Sequence, residues 1–349
     1  RMEGYYFGIG HFHTRVTYTV HDSGKDAHVD YLVDKGPQWS IGKVVLPSDS
    51  GQLFDVIREA HDSTLLRTGE PFVLDVLSKE RERIDARLKK VGYYFFNPEF
   101  LLFRVDSTRS GVVDVYLTVK GEAPHQGLQP WSLGDIRVYG NYRVERDSAI
   151  RSEAGLKSGR FYYIDTDETY KSSVFKRAVT LREGQLYSKD LHSLTIERLM
   201  NLNNFRFVRL HFDPTDTVRH IMDAHVYVTP QKKRTLRLEI SGNSKSNNFF
   251  GTELGLAYKN INLFRGAEIL ELKLNAGMDI QSGGESGYNA YLLNATANLY
   301  LPKLYLPSFI RVRTNKSPYM PRTIISPGIE YNRTPDLYTL RSIHLGLGY

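Results

Sequence analysis

From Arg234 to Tyr349 the chain reads as one run of period-two alternation broken only by turns. "TLRLEIS" places Leu236, Leu238 and Ile240 on one face and Arg237, Glu239 and Ser241 on the other. "GTELGLAYK", "EILELKLNAGM" and "YNAYLLNATANLYL" repeat the pattern, and "TIISPGIEYN" and "YTLRSIHLGLGY" continue it. Successive side chains on a strand point to opposite faces, so six such segments dictate an antiparallel sheet with one apolar and one polar side. A soluble β-sandwich alternates in the same way. Strand length, six successive strands of one type and the aromatic ends Tyr300, Tyr331 and Tyr349 favour a membrane barrel, whose strands need about 9–11 residues to cross at a tilt. The 23 Tyr and 17 Phe suit its aromatic girdles. Single-chain barrels have about eight strands or more, and an open sheet edge is not tolerated against lipid, so the barrel is expected to continue beyond Tyr349.

The first two-thirds of the chain follow another grammar. Its two tryptophans each open the phrase Trp-Ser-aliphatic-Gly, in "PQWSIGKVVLP" and "PWSLGDIRVYGN". After Trp39 come a strand, a short amphipathic helix ("DVIREAHDSTLL"), a turn and a second helix ("LDVLSKERERIDARLKKV"). That second helix has Leu77, Ile84, Leu88 and Val91 on one face and Gly92 at its C-terminal end. Two strands, "EFLLFRVDS" and "GVVDVYLTVKG", complete a strand-helix-helix-strand-strand module. The module starting at Trp131 repeats the order, closing with "FRFVRLHFD" and "HIMDAHVYVTP" and carrying a polar insertion near residues 143–174. The N-terminal stretch supplies only a closing strand pair, and its "DAHV" recurs at Asp223 to Val226. The reading is therefore α+β and β. Residues 1–35 are the C-terminal part of a module, 36–122 a complete module, 131–230 a last module with its insertion, and 234–349 the first strands of a barrel. Each Trp is expected to anchor a small core, and "GYYFGIG" to be a turn leading into a strand.

Composition narrows the function. With no Cys, the chain has no disulfide, thiolate metal site or cysteine nucleophile. "HFH" would put His11 and His13 on one face of a strand, but no third ligand is placed beside them. No recognisable nucleophile motif or phosphate loop occurs, so no catalytic, cofactor or metal residue is assigned. The opening "RMEGYYFGIGHFH" shows no secretory signal, which is expected to have been removed or to lie upstream. The net charge of +7 is confined to residues 231–349, which hold 15 Lys and Arg against 8 Asp and Glu. Five bases and no acid fall in "KLYLPSFIRVRTNKSPYMPR", residues 303–322. The bases form no helix face or aromatic-interleaved platform for nucleic acid. A loop beside an anionic lipid surface and a merely solvated loop remain the two readings of that segment.

Tandem modules of this order feeding an antiparallel barrel resemble the BamA/TamA superfamily of outer-membrane assembly factors, whose modules are POTRA domains. "VGYYFFNPEFLLF" echoes the usual end of the second POTRA helix, and "NINLFRGAEILELKL" is similar to the turn between the family's second and third barrel strands. "LYLPKLYLP" followed by "MPRTIISPGIEYNRTPDLYTLRSIHLGLGY" resembles the Bacteroidetes TamL-type branch. The sixteen strands and late "RG[FY]" loop tip of the family are not matched here, and the Arg-Gly of "LFRGAE" lies in an early turn.

The resemblance implies strand pairing rather than catalysis, with no cofactor. A POTRA sheet offers an edge to an extended client, and Phe100 to Val105 and Phe205 to Phe212 are the candidate edges, with Leu101, Phe103, Phe207 and Leu210 as site residues. The first barrel strand, Thr235 to Gly242 with Leu236, Leu238 and Ile240, is the second candidate by resemblance alone, its following "GNSKSNN" suiting a frayed edge. Expected partners are unfolded outer-membrane proteins and outer-membrane lipids, in a bacterial outer membrane with periplasmic modules, and no nucleic acid. The alternatives are a transporter dedicated to one secreted partner, and a periplasm-spanning scaffold or lipid conduit with a periplasmic or inner-membrane partner.

Overall fold

The computed structural model describes residues 1–22, 24, 26–143, 155–244, 249–281, 289–305, 317–334 and 337–349. It divides into two compact units. One is Arg1–Ser132 with Gln185–Asp190 and Asp216–Ile221, and the other is Leu133–Gly184, Leu191–Thr215 and Met222–Tyr349.

The chain begins with a helix, α1 (Met2–Gly8), and then an antiparallel pair, β1 (Arg15–Asp22) and β2 (Ala27–Asp34). The segment read as a turn into a strand is thus a helix. Its seven residues are too few to be stable alone, and Glu3 Oε1 ties it to β1 by accepting the Val16 amide at 3.0 Å. His11 and His13 lie in the turn before β1 rather than on a strand. His11 Nδ1 meets Gly36 O at 3.1 Å and the His13 ring packs on Trp39.

The complete module has β3 (Ser40–Val45), α2 (Gln52–Ala60), α3 (Leu74–Lys90), β4 (Leu101–Asp106) and β5 (Val112–Val119). The sheet order is β3-β5-β4, with β3 parallel and β4 antiparallel to β5. The helices close one face over a core of Ile41, Leu53, Ile57, Leu77, Ile84, Leu88, Leu101, Phe103, Val113 and Val115. Glu80 is buried on that same helical face. Burial alone would raise its pKa, but the Arg83 guanidinium, the Leu65 amide and the Thr64 hydroxyl hold it below the usual value.

The last module contains β6 (Ser132–Tyr139), β7 (Leu156–Lys157), β8 (Tyr162–Ile164), α4 (Ser172–Ala178), α5 (Lys189–Met200), β9 (Phe205–Asp216) and β10 (Ile221–Pro230). Its sheet runs β7-β8-β6-β10-β9. The insertion is therefore more than a polar loop, because β8 extends the sheet in parallel with Arg137 to Tyr139. Its residues 144–154 fall outside the described residues.

The repeated Trp phrase has a structural cause. The Trp39 amide donates to Gly10 O and the Trp131 amide to Gly92 O, each at 2.9 Å, and both glycines follow a helix with positive φ (87° and 113°). Two residues past each Ser-aliphatic pair, the backbone bends toward a carboxylate. The Lys43 amide donates to Asp114 Oδ1 at 2.7 Å and the Asp135 amide to Asp223 Oδ1 at 2.8 Å. A Cβ on Gly42 would sit 2.3 Å from that Asp114 oxygen, so the phrase requires glycine there.

Six strands form the last sheet, a simple antiparallel meander. They are β11 (Arg234–Ser244), β12 (Phe249–Ile261), β13 (Ile269–Gln281), β14 (Ala290–Leu301), β15 (Thr323–Thr334) and β16 (Tyr338–Gly348). The register aligns apolar residues across strands, as in Leu238↔Leu256, Leu256↔Leu274, Leu274↔Ala295, Ala295↔Ile329 and Ile329↔Ile343. Offset by one residue, Glu239, Lys273, Asn275, Asn294 and Glu330 share the opposite face. With 11 to 13 residues each, the strands are long enough to cross a bilayer's hydrocarbon at a tilt. The sheet is open: among the described residues β11 pairs only with β12, and β16 only with β15.

Candidate strand-pairing edges

In the complete module one sheet edge is covered and the other is not. Outside β3 the turn before α3 supplies a ladder of its own. Ile41 N donates to Glu70 O at 2.8 Å, Gly69 N to Ile41 O at 2.7 Å and Phe72 N to Trp39 O at 2.9 Å. No such segment pairs with the outer side of β4 among the described residues. The direction of the β4 backbone follows from its register. Lys120 N donates to Phe100 O at 2.8 Å, and with Leu101↔Val119 in register the bonded pairs are Phe100/Lys120, Leu102/Thr118, Arg104/Tyr116 and Asp106/Asp114. The N–H and C=O groups of Leu101, Phe103 and Val105 consequently point to the open side.

Side-chain direction is a separate matter. Leu101 and Phe103 are buried under the helices, with Arg81 stacked 5.7 Å from the Phe103 ring centroid. These two candidates can offer a client main chain only, while Leu102, Arg104 and Val105 carry the exposed side chains. "LLF" conceals this in sequence, because three successive apolar residues leave the parity open.

In the last module β9 is the edge, beside β10. Phe207 is 59% exposed, with the Arg206 guanidinium 5.1 Å over its ring, whereas Leu210 is buried with Phe212 in the core. Leu210 is thus a core residue and Phe207 the accessible one. Further along, His211 Nε2 and His225 Nε2 approach the two oxygens of Asp213 at 2.8 and 3.5 Å. Burial, opposed by Asp213 but aided by Arg137, keeps the His225 imidazole below its ordinary pKa.

The first strand of the large sheet, β11, is exposed along its whole length, and Leu236, Leu238 and Ile240 stand out at 68%, 64% and 77%. Within "GNSKSNN", residues 245–248 lie outside the described residues. The 262–268 turn, within "NINLFRGAEILELKL" at the foot of β12, has a partner that its sequence does not reveal. It is a docking element. Asn262 Nδ2 donates to Thr169 O at 2.7 Å, Lys171 N to Arg265 O at 2.8 Å, and Arg265 pairs with Glu168 at 2.9 Å. Asn204, fully buried, donates to Ala267 O at 2.9 Å. Five of the six described non-glycine residues with positive φ gather here: Glu168, Asn203, Asn262, Arg265 and Ala267. Each costs on the order of 1–3 kcal/mol, which the surrounding bonds must offset. Burial and the Asp165 carboxylate raise the Tyr163 phenol pKa, and its hydroxyl donates to Asp165 at 2.7 Å behind this joint. The insertion thus supplies much of the socket that holds the last module to the sheet.

No protein-family profile and no curated protein matches the chain. Solved structures do. BamA from Haemophilus ducreyi lacking POTRA domains 1–3 is similar over 88% of this chain and 58% of its own, at 11% identity and a TM-score of 0.45. POTRA domains 3–5 of Haemophilus influenzae BamA match 64% of this chain and 76% of theirs, at 16% identity and a TM-score of 0.38. CdiB from Acinetobacter baumannii matches 90% and 58%, at 12% identity and a TM-score of 0.37. The structure itself shows strand-helix-helix-strand-strand modules followed by an open antiparallel sheet of six long strands. It spans less than two thirds of the length of the first and third of these structures.

Proposed function

We propose that this chain belongs to an outer-membrane protein insertion or translocation factor of the BamA/TamA superfamily, nearest its TamL-type branch, that works by pairing strands. Clients in extended form add to the open edges of β4 and β9, and β11 templates a client strand at the seam of the barrel. The single observation that carries the reading is the outward ladder of Leu101, Phe103 and Val105 on an edge that nothing among the described residues covers. Backbone pairing needs little side-chain information, which suits a surface that meets many unfolded clients. Pairing strands and moving apolar side chains into lipid are both downhill, so no nucleotide or cofactor is required. The modules lie in the periplasm in this reading and the apolar face of the large sheet meets outer-membrane lipid.

The test is site-specific photo-crosslinking in cells from Leu236, Leu238 and Ile240 of β11, and from Leu102 and Phe207 at the module edges. Leu102 is the probe on β4 because the Leu101 side chain is buried. Crosslinks to several nascent outer-membrane proteins are expected. Crosslinks to a single secreted protein, or only to one stable envelope partner or to lipid, would overturn the general insertion reading.

A further inference from the structure

We propose that the foot of the large sheet, where the last module meets it, is a docking surface for the anionic headgroups of the periplasmic leaflet. The inference rests on the membrane-barrel reading and adds the lipid that the rim selects.

Basic side chains on α4, on α5 and in the segments beside them line the rim. Arg160 reaches across to cap the end of α4, donating to Lys176 O at 2.8 Å and to Val179 O at 2.5 Å. Arg182 and Arg198 crowd it, and burial together with these two charges lowers its pKa. Arg198, on α5, donates from Nε to Ser317 O at 3.0 Å, and Asn201 donates to Pro318 O at 3.2 Å. Ser317 and Pro318 are thereby held against the last module.

On α4 itself, Arg177 interacts electrostatically with Tyr305 and Glu268, while Lys303 lies 5.0 Å from the Tyr305 ring centroid. The Tyr305 amide donates to Thr323 Oγ1 at 2.9 Å, which fixes that aromatic at the foot of β15. The acids described at this joint are engaged in bonds of their own. Glu268 accepts the Phe264 and Gly266 amides, each at 3.0 Å, Glu168 pairs with Arg265 at 2.9 Å, and Glu183 and Glu197 neighbour Arg182 and Arg198 in sequence.

Two further features point to lipid rather than to a soluble anion. Tyr305 is bonded to Thr323, the register partner of Leu301, at the strand ends where the apolar face finishes at Leu299, Leu301 and Ile325. Tyr305, with Lys303 over its ring, and Tyr319 stand exposed, and tyrosine is enriched at the level of lipid headgroups. A base near an anionic surface contributes about fivefold in binding, so Arg177, Arg182 and Lys303 together give a substantial preference.

The experiment uses the full-length protein in proteoliposomes of phosphatidylcholine and phosphatidylglycerol. Residues 1–349 hold no Cys, and with any cysteine elsewhere in the full-length protein replaced by serine, Tyr305→Cys and Leu272→Cys give unique fluorescent labels at the rim and on the apolar face. Quenching is measured with nitroxide-bearing phosphatidylcholine or phosphatidylglycerol. The expected result is equal quenching at position 272 and a severalfold excess by phosphatidylglycerol at 305. That excess is lost in the Arg177→Gln, Arg182→Gln, Lys303→Gln triple variant, whose unchanged quenching at 272 shows that it inserts. Equal quenching at 305, an excess that survives in the triple variant, or quenching at 272 alone would overturn this inference. Absence of quenching at 272 would instead overturn the membrane-barrel reading.

Discussion

A proline at Val105 and one at Arg104 should do different things, although the two residues are neighbours on the same strand. The Val105 N–H points to the open side of β4, whereas Arg104 is bonded to Tyr116 on β5. Val105→Pro removes a donor that only a client uses, and an edge strand tolerates proline there. One main-chain hydrogen bond contributes about 0.5–1.5 kcal/mol net, so a paired client should bind roughly two- to twelvefold more weakly. The protein itself should lose less than about 1 kcal/mol of stability. Arg104→Pro breaks the native ladder and leaves the Tyr116 carbonyl without its donor, which costs about 1–3 kcal/mol of folding free energy. Titration calorimetry with an extended client peptide and urea denaturation of both variants measure the two quantities. Equal destabilisation by the two prolines, or client affinity untouched by Val105→Pro, would refute the assignment of the outward ladder.

Other parts of the molecule give sharper tests of stability. Gly92→Ala should destabilise the fold measurably in urea, because the residue has φ 113° and a Cβ would lie 2.9 Å from Pro130 Cβ. Trp131→Ala, at a fully buried ring whose Nε1 donates to Gln126 O at 3.0 Å, should cost about 3–5 kcal/mol by the same measurement. Asn204→Ala should lower the melting temperature of the last module and sheet, since it removes bonds to Leu202 O and Ala267 O from a buried site, a loss of about 1–3 kcal/mol. Glu80 has a folded pKa below its ordinary 4.5, so its contribution is present above that value and is lost as pH falls through the lower folded one. Urea midpoints of Glu80→Gln should accordingly vary less with pH across that acidic window than those of the native protein.

The strands of the large sheet were legible because period-two alternation survives in the sequence wherever one face is apolar. The Trp phrase was legible as a repeat, yet its cause was not. The bond from the Lys43 amide to Asp114 joins residues far apart in the chain, and only the fold brings them together. Helix α1 was read as a turn because "GYYFGIG" has glycines and aromatics and too few residues for a helical period; its contact with β1 decides the matter. The strands of the insertion span only two and three residues, too short for any periodicity. At the candidate edges the strand was visible but its facing was not. Leu101, Phe103 and Leu210 turned inward, while Leu236, Leu238, Ile240 and Phe207 turned outward.

The most direct test of strand pairing is a disulfide scan between β11 and the terminal strand of a model client, feasible because the chain supplies no competing cysteine. Single cysteines at Leu236, Arg237, Leu238, Glu239 and Ile240 are each paired with a series of client positions. Pairing in register predicts efficient bonds to one client position per site, shifting antiparallel one for one along β11. Bonds scattered over many client positions without register, or none at all while the client is assembled, would contradict the account.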